Sequence, residues 1–187
     1  MTRPRKVLAV LALAVPALGG LVLALARIQG SEEEIKAAFL YKFTHFVEWE
    51  DGSFRNAAAP YVIGVLGKDP FGKALDETLA DKKVNGRGFS IVRAAAPEAL
   101  KGCHMVYVSP SEKGNRAELL QALNGANLLV VGDSEGFAAA GAAINFVLED
   151  RKVRLEINPA AAGRARLKVS SKLLQLCKIV QDKAGKP

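Results

Sequence analysis

The order of apolar and amphipathic segments predicts an α/β fold: a three-layer α/β/α sandwich whose mostly parallel sheet ends in an antiparallel hairpin, with helices on both faces. Two observations predict it. Short apolar runs, YVIGVLG, FSIVRA, CHMVYVS and NLLVVGD, alternate with segments of helical or turn character, a pattern that implies right-handed crossovers. After them, AAINFVLE and KVRLEIN are separated only by Asp150 and Arg151. Two residues are too few for a crossover helix and suit a tight hairpin.

The elements can be justified in chain order. Three bases in Met1–Lys6 precede an uncharged stretch from Val7 to Ala26 that ends Ala24-Leu25-Ala26, which is the form of a secretory signal peptide at 1–26. Twenty apolar residues could also span a bilayer as a retained anchor, but Pro16 and Gly19-Gly20 interrupt a helix there, so cleavage near Ala26 is the expectation. Both readings export the remainder. Removing Arg3, Arg5, Lys6 and Arg27 lowers the formal charge from +7 to +3, and the other bases are interspersed with acids, which argues against a nucleic-acid surface. One α/β domain is expected over 31–182, with a loose tail at 183–187.

Ser31 followed by three glutamates is an N-cap with acids suited to the helix dipole. Ile35, Ala38, Phe39, Phe43, Phe46 and Val47 then recur at helical spacing. A strand follows over Tyr61–Gly67, and Asp69-Pro70 predicts the start of the next helix. FSIVRA is a strand, PEAL a helical turn, CHMVYVS a strand, GNRAELLQALNG a helix closed by Gly125, and NLLVVGD a strand. In the hairpin, Val153, Leu155 and Ile157 fall on one face and Arg154 and Glu156 on the other, so one face is wet. Pro159 opens a short helix that Asn158 is suited to cap, and Ser170 or Ser171 caps a last helix carrying Leu173, Leu174, Cys177 and Val180 inward.

Residue types able to do chemistry are sparse. Histidine occurs only at 45 and 104, and no CxxC, HxxxH or acidic cluster has metal-ligand spacing, so neither a metal nor a cofactor is expected. Cys103 and His104 are neighbours on a strand and point to opposite faces, which prevents a nucleophile–base pair. No serine lies in GxSxG, and Gly67-Lys68-Asp69 lacks the phosphate-loop pattern. No catalytic residue is assigned, and a regulatory module needs fewer assumptions than an enzyme. Asp133, Ser134 and Glu135 lie at the carboxyl end of a strand, the usual ligand edge of an open α/β sheet, and form either a ligand loop or a helix cap. Cys103 and Cys177 form either one disulfide or two core thiols.

Taken together, AAFLYKFTHFVEWE, IGVLGKDPFG, CHMVYVS, NLLVVGDSEGFAAAGAAINFVLEDRKVRLEIN and LKVSSKLLQL are spread along nearly the whole stretch from Glu34 to Val180, and their order resembles the YfiR family of exported bacterial proteins. The resemblance implies a periplasmic negative regulator that binds the periplasmic domain of an inner-membrane diguanylate cyclase, lowers cyclic diguanylate and restrains biofilm formation. It also implies a homodimer, and an outer-membrane peptidoglycan-binding lipoprotein that sequesters the repressor. Related domains occur on membrane sensor kinases, so the alternative is a small-ligand sensor acting on a histidine kinase. Two departures bear on redox control. Cys103 matches a family cysteine, but Gly64 stands where its partner would be, and no cysteine pair follows the hairpin; the family's Gly-Gly before the hairpin reads Gly141-Ala142. The partner surface is expected at the hairpin, on Phe137, Phe146, Arg154, Glu156 and Asn158, although Phe137 and Phe146, each taken singly, read more readily as core and Asn158 as a helix cap.

Overall fold

The computed structural model describes residues 30–125 and 127–182. The expected signal peptide at 1–26 and the tail at 183–187 lie outside the described residues.

Helix α1 spans Glu32–Phe46 and runs directly into β1, Val47–Glu48. Strand β2, Tyr61–Leu66, leads to α2, Lys73–Leu79, and then to β3, Phe89–Ala94. After a 3-10 turn at Pro97–Leu100 come β4, Met105–Val108, a second such turn at Pro110–Asn115, and α3, Arg116–Ala122. Then follow β5, Leu129–Gly132, the hairpin β6 and β7, Ile144–Glu149 and Lys152–Ile157, and α4, Pro159–Arg164. The chain closes with β8, Lys168–Val169, α5, Ser171–Leu176, and β9, Lys178–Ile179.

Seven strands form the main sheet in the order β3-β2-β4-β5-β6-β7-β9, and β1 pairs with β8 in a separate antiparallel ribbon. The pairs from β3 to β6 are parallel, β6–β7 is antiparallel and β7–β9 is parallel. The predicted three-layer arrangement is present, but β9 adds a strand outside the hairpin. Parallel strands buried on both faces must be apolar throughout, and β4 and β5 are buried at every position. The Asp150-Arg151 turn has both residues at positive φ, 49° and 60°, the backbone of a type I′ turn whose twist matches the strands.

Two apolar cores lie on opposite sides of the sheet. The larger joins Leu40 and Phe43 of α1, Leu75 of α2, Met105 and Tyr107, Leu129 and Val131, Phe146, Ile157 and Leu173. The smaller joins Leu66, Cys103, Val106, Val108, Leu119, Val130 and Phe137. Cys103 sits in the second core and Cys177 packs against the first; both are free thiols. The disulfide alternative is therefore not the arrangement the fold adopts.

Three sequence expectations shift. The buried face of α1 is Lys36, Ala37, Leu40, Phe43 and Thr44, whereas Ile35 is exposed, so the helix is rotated from its apolar period. The rotation buries Lys36, which meets Asp133. The helix expected from Asp69-Pro70 begins at Lys73, because Asp69 Oδ1 accepts from the Phe71 amide and closes a turn while its other oxygen binds Arg93. Helix α3 ends at Ala122, short of Gly125. The Ser170 cap of α5 is as expected, with its hydroxyl accepting from the Leu173 amide.

Gly132, at the end of β5, allows Phe137 to fold back over the strand: a Cβ at this position would lie 2.0 Å from Phe137 Cδ1. Gly132→Ala should cost about 2–3 kcal/mol and lower Tm by roughly 5–10 °C. Gly163→Ala, in α4 with open space around it, should be neutral or stabilising by about 0.5–1 kcal/mol. Urea and thermal unfolding check the pair, and an equally stable Gly132→Ala protein would contradict the packing.

Candidate functional site

At the carboxyl edge of the sheet, β5 ends in Gly132 and delivers Asp133, whose Oδ2 accepts from Lys36 Nζ at 2.6 Å and from the Tyr107 hydroxyl at 2.6 Å. Lys36 comes down from α1 and also donates to Glu32 Oε1, four residues earlier on the same helix, at 2.5 Å. The ammonium lies 5.9 Å from the centroid of the Phe146 ring. Burial alone would lower the lysine pKa, but hydrogen bonds to Asp133 and Glu32 outweigh it and hold the group above its ordinary value. Burial and the Asp133 charge push the Tyr107 hydroxyl far upward, so it stays a donor.

The position where a ligand would sit in an open α/β sheet is filled by the chain's own ammonium. Ser134 contributes its amide to Asn145 Oδ1 at 3.3 Å, and the Glu135 carbonyl accepts from Arg116. Asp133 thus bonds through its side chain, and Ser134 and Glu135 through backbone atoms. Nothing local in the sequence marks Lys36, because its partner is 97 positions away.

The hairpin residues separate into two groups. Phe137 and Phe146 are 1% and 2% exposed and belong to the two cores, so neither can contact a partner. Asn158 is fully buried: its Oδ1 caps α4 by accepting from the Ala161 amide, and its Nδ2 donates to the Ala138 carbonyl and to Asp182. Arg164 also holds Asp182, and that pairing draws the Asp182 carboxyl below its ordinary pKa. Arg154 is exposed on the wet face. Glu156 lies beside it, half-buried, with Lys178 Nζ at 3.4 Å and Asn145 Nδ2 at 3.4 Å. The edge beside Glu156 and Ile157 is covered, since β9 pairs with β7 there.

The histidines also have structural partners. His104 Nδ1 accepts from the Val62 amide at 3.0 Å, and Nε2 lies 3.1 Å from the Ser53 carbonyl, so the neutral ring carries its proton on Nε2. Trp49 Nε1 bridges the His104 and Asn127 carbonyls at 3.1 and 3.0 Å. Burial lowers the His104 pKa, with the Ser53 contact opposing and the Arg87 charge reinforcing the shift. Burial also raises both thiols, Cys177 to about 11, which keeps them protonated and unreactive at neutral pH. His45 is exposed on α1 and stacks edge-on with Tyr41 at 4.9 Å.

The surface feature that sequence reading missed is apolar. A groove of about 500 Å³ runs between α1 and α5, lined by Phe39, Phe43, Phe46, Leu173 and Leu176 with Lys42 and His45 among its walls. On the last helix and strand Leu176 is 69% exposed and Ile179 59%, and on the hairpin Leu148 is 56% exposed. Large apolar side chains gathered in this way mark contact surfaces. The one available sequence signal was Leu173 and Leu176, which fall three apart on α5.

Comparison with known proteins adds two findings. The family described as YfiR/HmsC-like matches residues 33–178. A solved structure titled as a conserved domain protein from Vibrio cholerae O1 biovar El Tor strain N16961 superposes with a TM-score of 0.52 at 12% identity, covering 81% of this chain and 60% of that one. That similarity is one of fold. No curated protein matches the chain.

Two predictions follow from the buried polar groups. Lys36→Met leaves the partly buried Asp133 without its cation and should cost about 2–3 kcal/mol, whereas Lys36→Met with Asp133→Asn should recover most of the loss. Denaturant unfolding measures the cycle, and simply additive losses would contradict the pairing. Because folding lowers the His104 pKa, the unfolded chain takes up that proton first as pH falls. This contribution to stability is complete above about pH 6.5 and declines in acid below it. The urea midpoint of the wild type should therefore fall between about pH 7 and pH 5, and the fall should be smaller in His104→Gln; identical slopes would contradict the assignment.

Proposed function

The chain belongs to the YfiR/HmsC-like family, and from that membership we propose that it is a periplasmic regulator which binds the periplasmic domain of an inner-membrane diguanylate cyclase and lowers cyclic diguanylate signalling. The observation that carries this reading is how the side chains are used. Asp133, Lys36, Tyr107, His104 and Asn158 are all engaged in bonds that hold the fold, while Leu148, Leu176 and Ile179 stand in solvent. A surface of that kind suits protein contact.

Repression then follows from binding energy alone. A regulator that prefers the inactive arrangement of its partner shifts the equilibrium by the difference between its two affinities. An outer-membrane peptidoglycan-binding lipoprotein that competes for the regulator would relieve the repression, and dimerisation of the regulator would match a dimeric cyclase. Arg154 and Glu156, on the wet face of the hairpin, supply polar contacts at the rim.

A second reading, a small-ligand sensor acting on a membrane kinase, is favoured by a different edge of the sheet from the one the sequence suggested. A cleft of about 380 Å³ at the amino ends of β4 and β5 is lined by Ser53, Cys103, His104 and Asn127. Ser53 Oγ and Asn127 Oδ1 are buried there without a partner. A ligand that binds the native state alone would raise Tm with its concentration, which separates the two readings.

Deleting the gene should raise cellular cyclic diguanylate and surface attachment, and restoring the wild-type gene should reverse both. Arg154→Glu should restore them only partly. Unchanged cyclic diguanylate on deletion, in cells that express the cyclase, would contradict the reading.

A further inference from the structure

The groove between α1 and α5 has walls, floor and rim of different character. Phe39, Phe43 and Phe46 are spaced i, i+4 and i+7 along α1, and Leu173 and Leu176 are three apart on α5, so each helix offers a ridge to the space of about 500 Å³ between them. Lys42 and His45 are the basic side chains among its walls, and among the described residues no carboxylate lines it. Lys172 is exposed and lies one turn from Leu176 on the same face of α5, which extends the basic rim.

We propose that this groove receives an amphipathic helix of a partner protein, with apolar residues at i, i+3, i+4 and i+7 and carboxylates along its flanks. Helical walls present side chains and no free backbone edge, so a strand would find no main-chain partners there, whereas a third helix completes the packing of two. The charge argues against a second copy of this chain. A two-fold contact centred on the groove would set Lys42, His45 and Lys172 against the same bases of the other copy. Carboxylates on an incoming helix meet those bases and add to the burial of Leu176 and Phe39. The inference deepens the regulatory reading and rests on it for the identity of the partner, but the groove's preference for an acidic helix is a property of this chain alone.

The test uses the purified protein and labelled synthetic helices of about 15 residues, long enough to form about four turns. One carries the apolar stripe with glutamate flanks, one the same stripe with lysine flanks, and one a scrambled order. Fluorescence anisotropy should show saturable binding of the glutamate-flanked helix and about tenfold weaker binding of the other two. Leu176→Glu replaces a side chain already in solvent and should fold normally, yet weaken binding about tenfold or more. Lys42→Glu should weaken the acidic helix and strengthen the basic one, a crossover that a merely structural role would not produce.

Equal binding of all three helices, or no effect of Leu176→Glu, would overturn the proposal. So would sedimentation showing a wild-type dimer that Leu176→Glu dissociates, which would give the groove to a second copy. Capture by phosphatidylglycerol vesicles that Leu176→Glu abolishes, with no helix bound, would give it to a lipid surface. If the helices fail to bind but gene deletion still raises cyclic diguanylate, the groove assignment falls and the regulatory reading stands. If the helices bind and deletion changes nothing, the reverse holds.

Discussion

The buried pair between Lys36 and Asp133 is the contact on which the rest of the arrangement depends. An ammonium with so little access to water is tolerated because two carboxylates hold it: Asp133 at 2.6 Å and Glu32 at 2.5 Å, with the Tyr107 hydroxyl sharing Asp133. The pair sets the rotation of α1, and that rotation brings Phe39 and Phe43 onto Phe146 at ring separations of 6.1 and 6.0 Å. It also fixes the residue after Gly132, from which the chain turns so that Phe137 covers the opposite face. One ion pair thus links the first helix, the ligand edge of the sheet and both cores.

The strands were legible in the sequence because strands buried on both faces can be read as continuous apolar runs, and the hairpin because only Asp150 and Arg151 separate its arms. The expected three-layer architecture needed nothing more. The rotation of α1 was not legible. A period count scores apolar residues alone, and Lys36 is buried by virtue of a carboxylate 97 positions away. Asp69 looked like a helix cap, but its amide contact with Phe71 and its ion pair with Arg93 make it a turn, and the helix starts later. Strand β9 is two residues long and carries no periodicity; its place beside β7 is set by Glu156 and Ile157 pairing with Lys178 and Ile179.

Site expectations divided along the same line. Asn158 was recognised as a cap because the signal is local, a short polar side chain just before Pro159. Phe137 and Phe146 had no local signal to separate core from surface, and tertiary packing buried both. The loop at 133–135 has the right topological position for a ligand and the wrong occupant, since the chain supplies its own cation there. The α1–α5 groove, with Leu176 exposed at its wall, is a contact surface in a molecule whose Lys36, Asp133, Tyr107, His104 and Asn158 hold its own fold.

Hydrogen exchange on the protein alone and mixed with the periplasmic domain of the proposed cyclase partner is the most direct test, since exchange reports which backbone amides a contact protects. The account predicts slower exchange in α1 and from α5 through β9, with the 133–135 loop unchanged because Lys36 already locks it. Protection confined to that loop or to the cleft beside Cys103 and His104, with α5 and β9 exchanging as in the free protein, would contradict it.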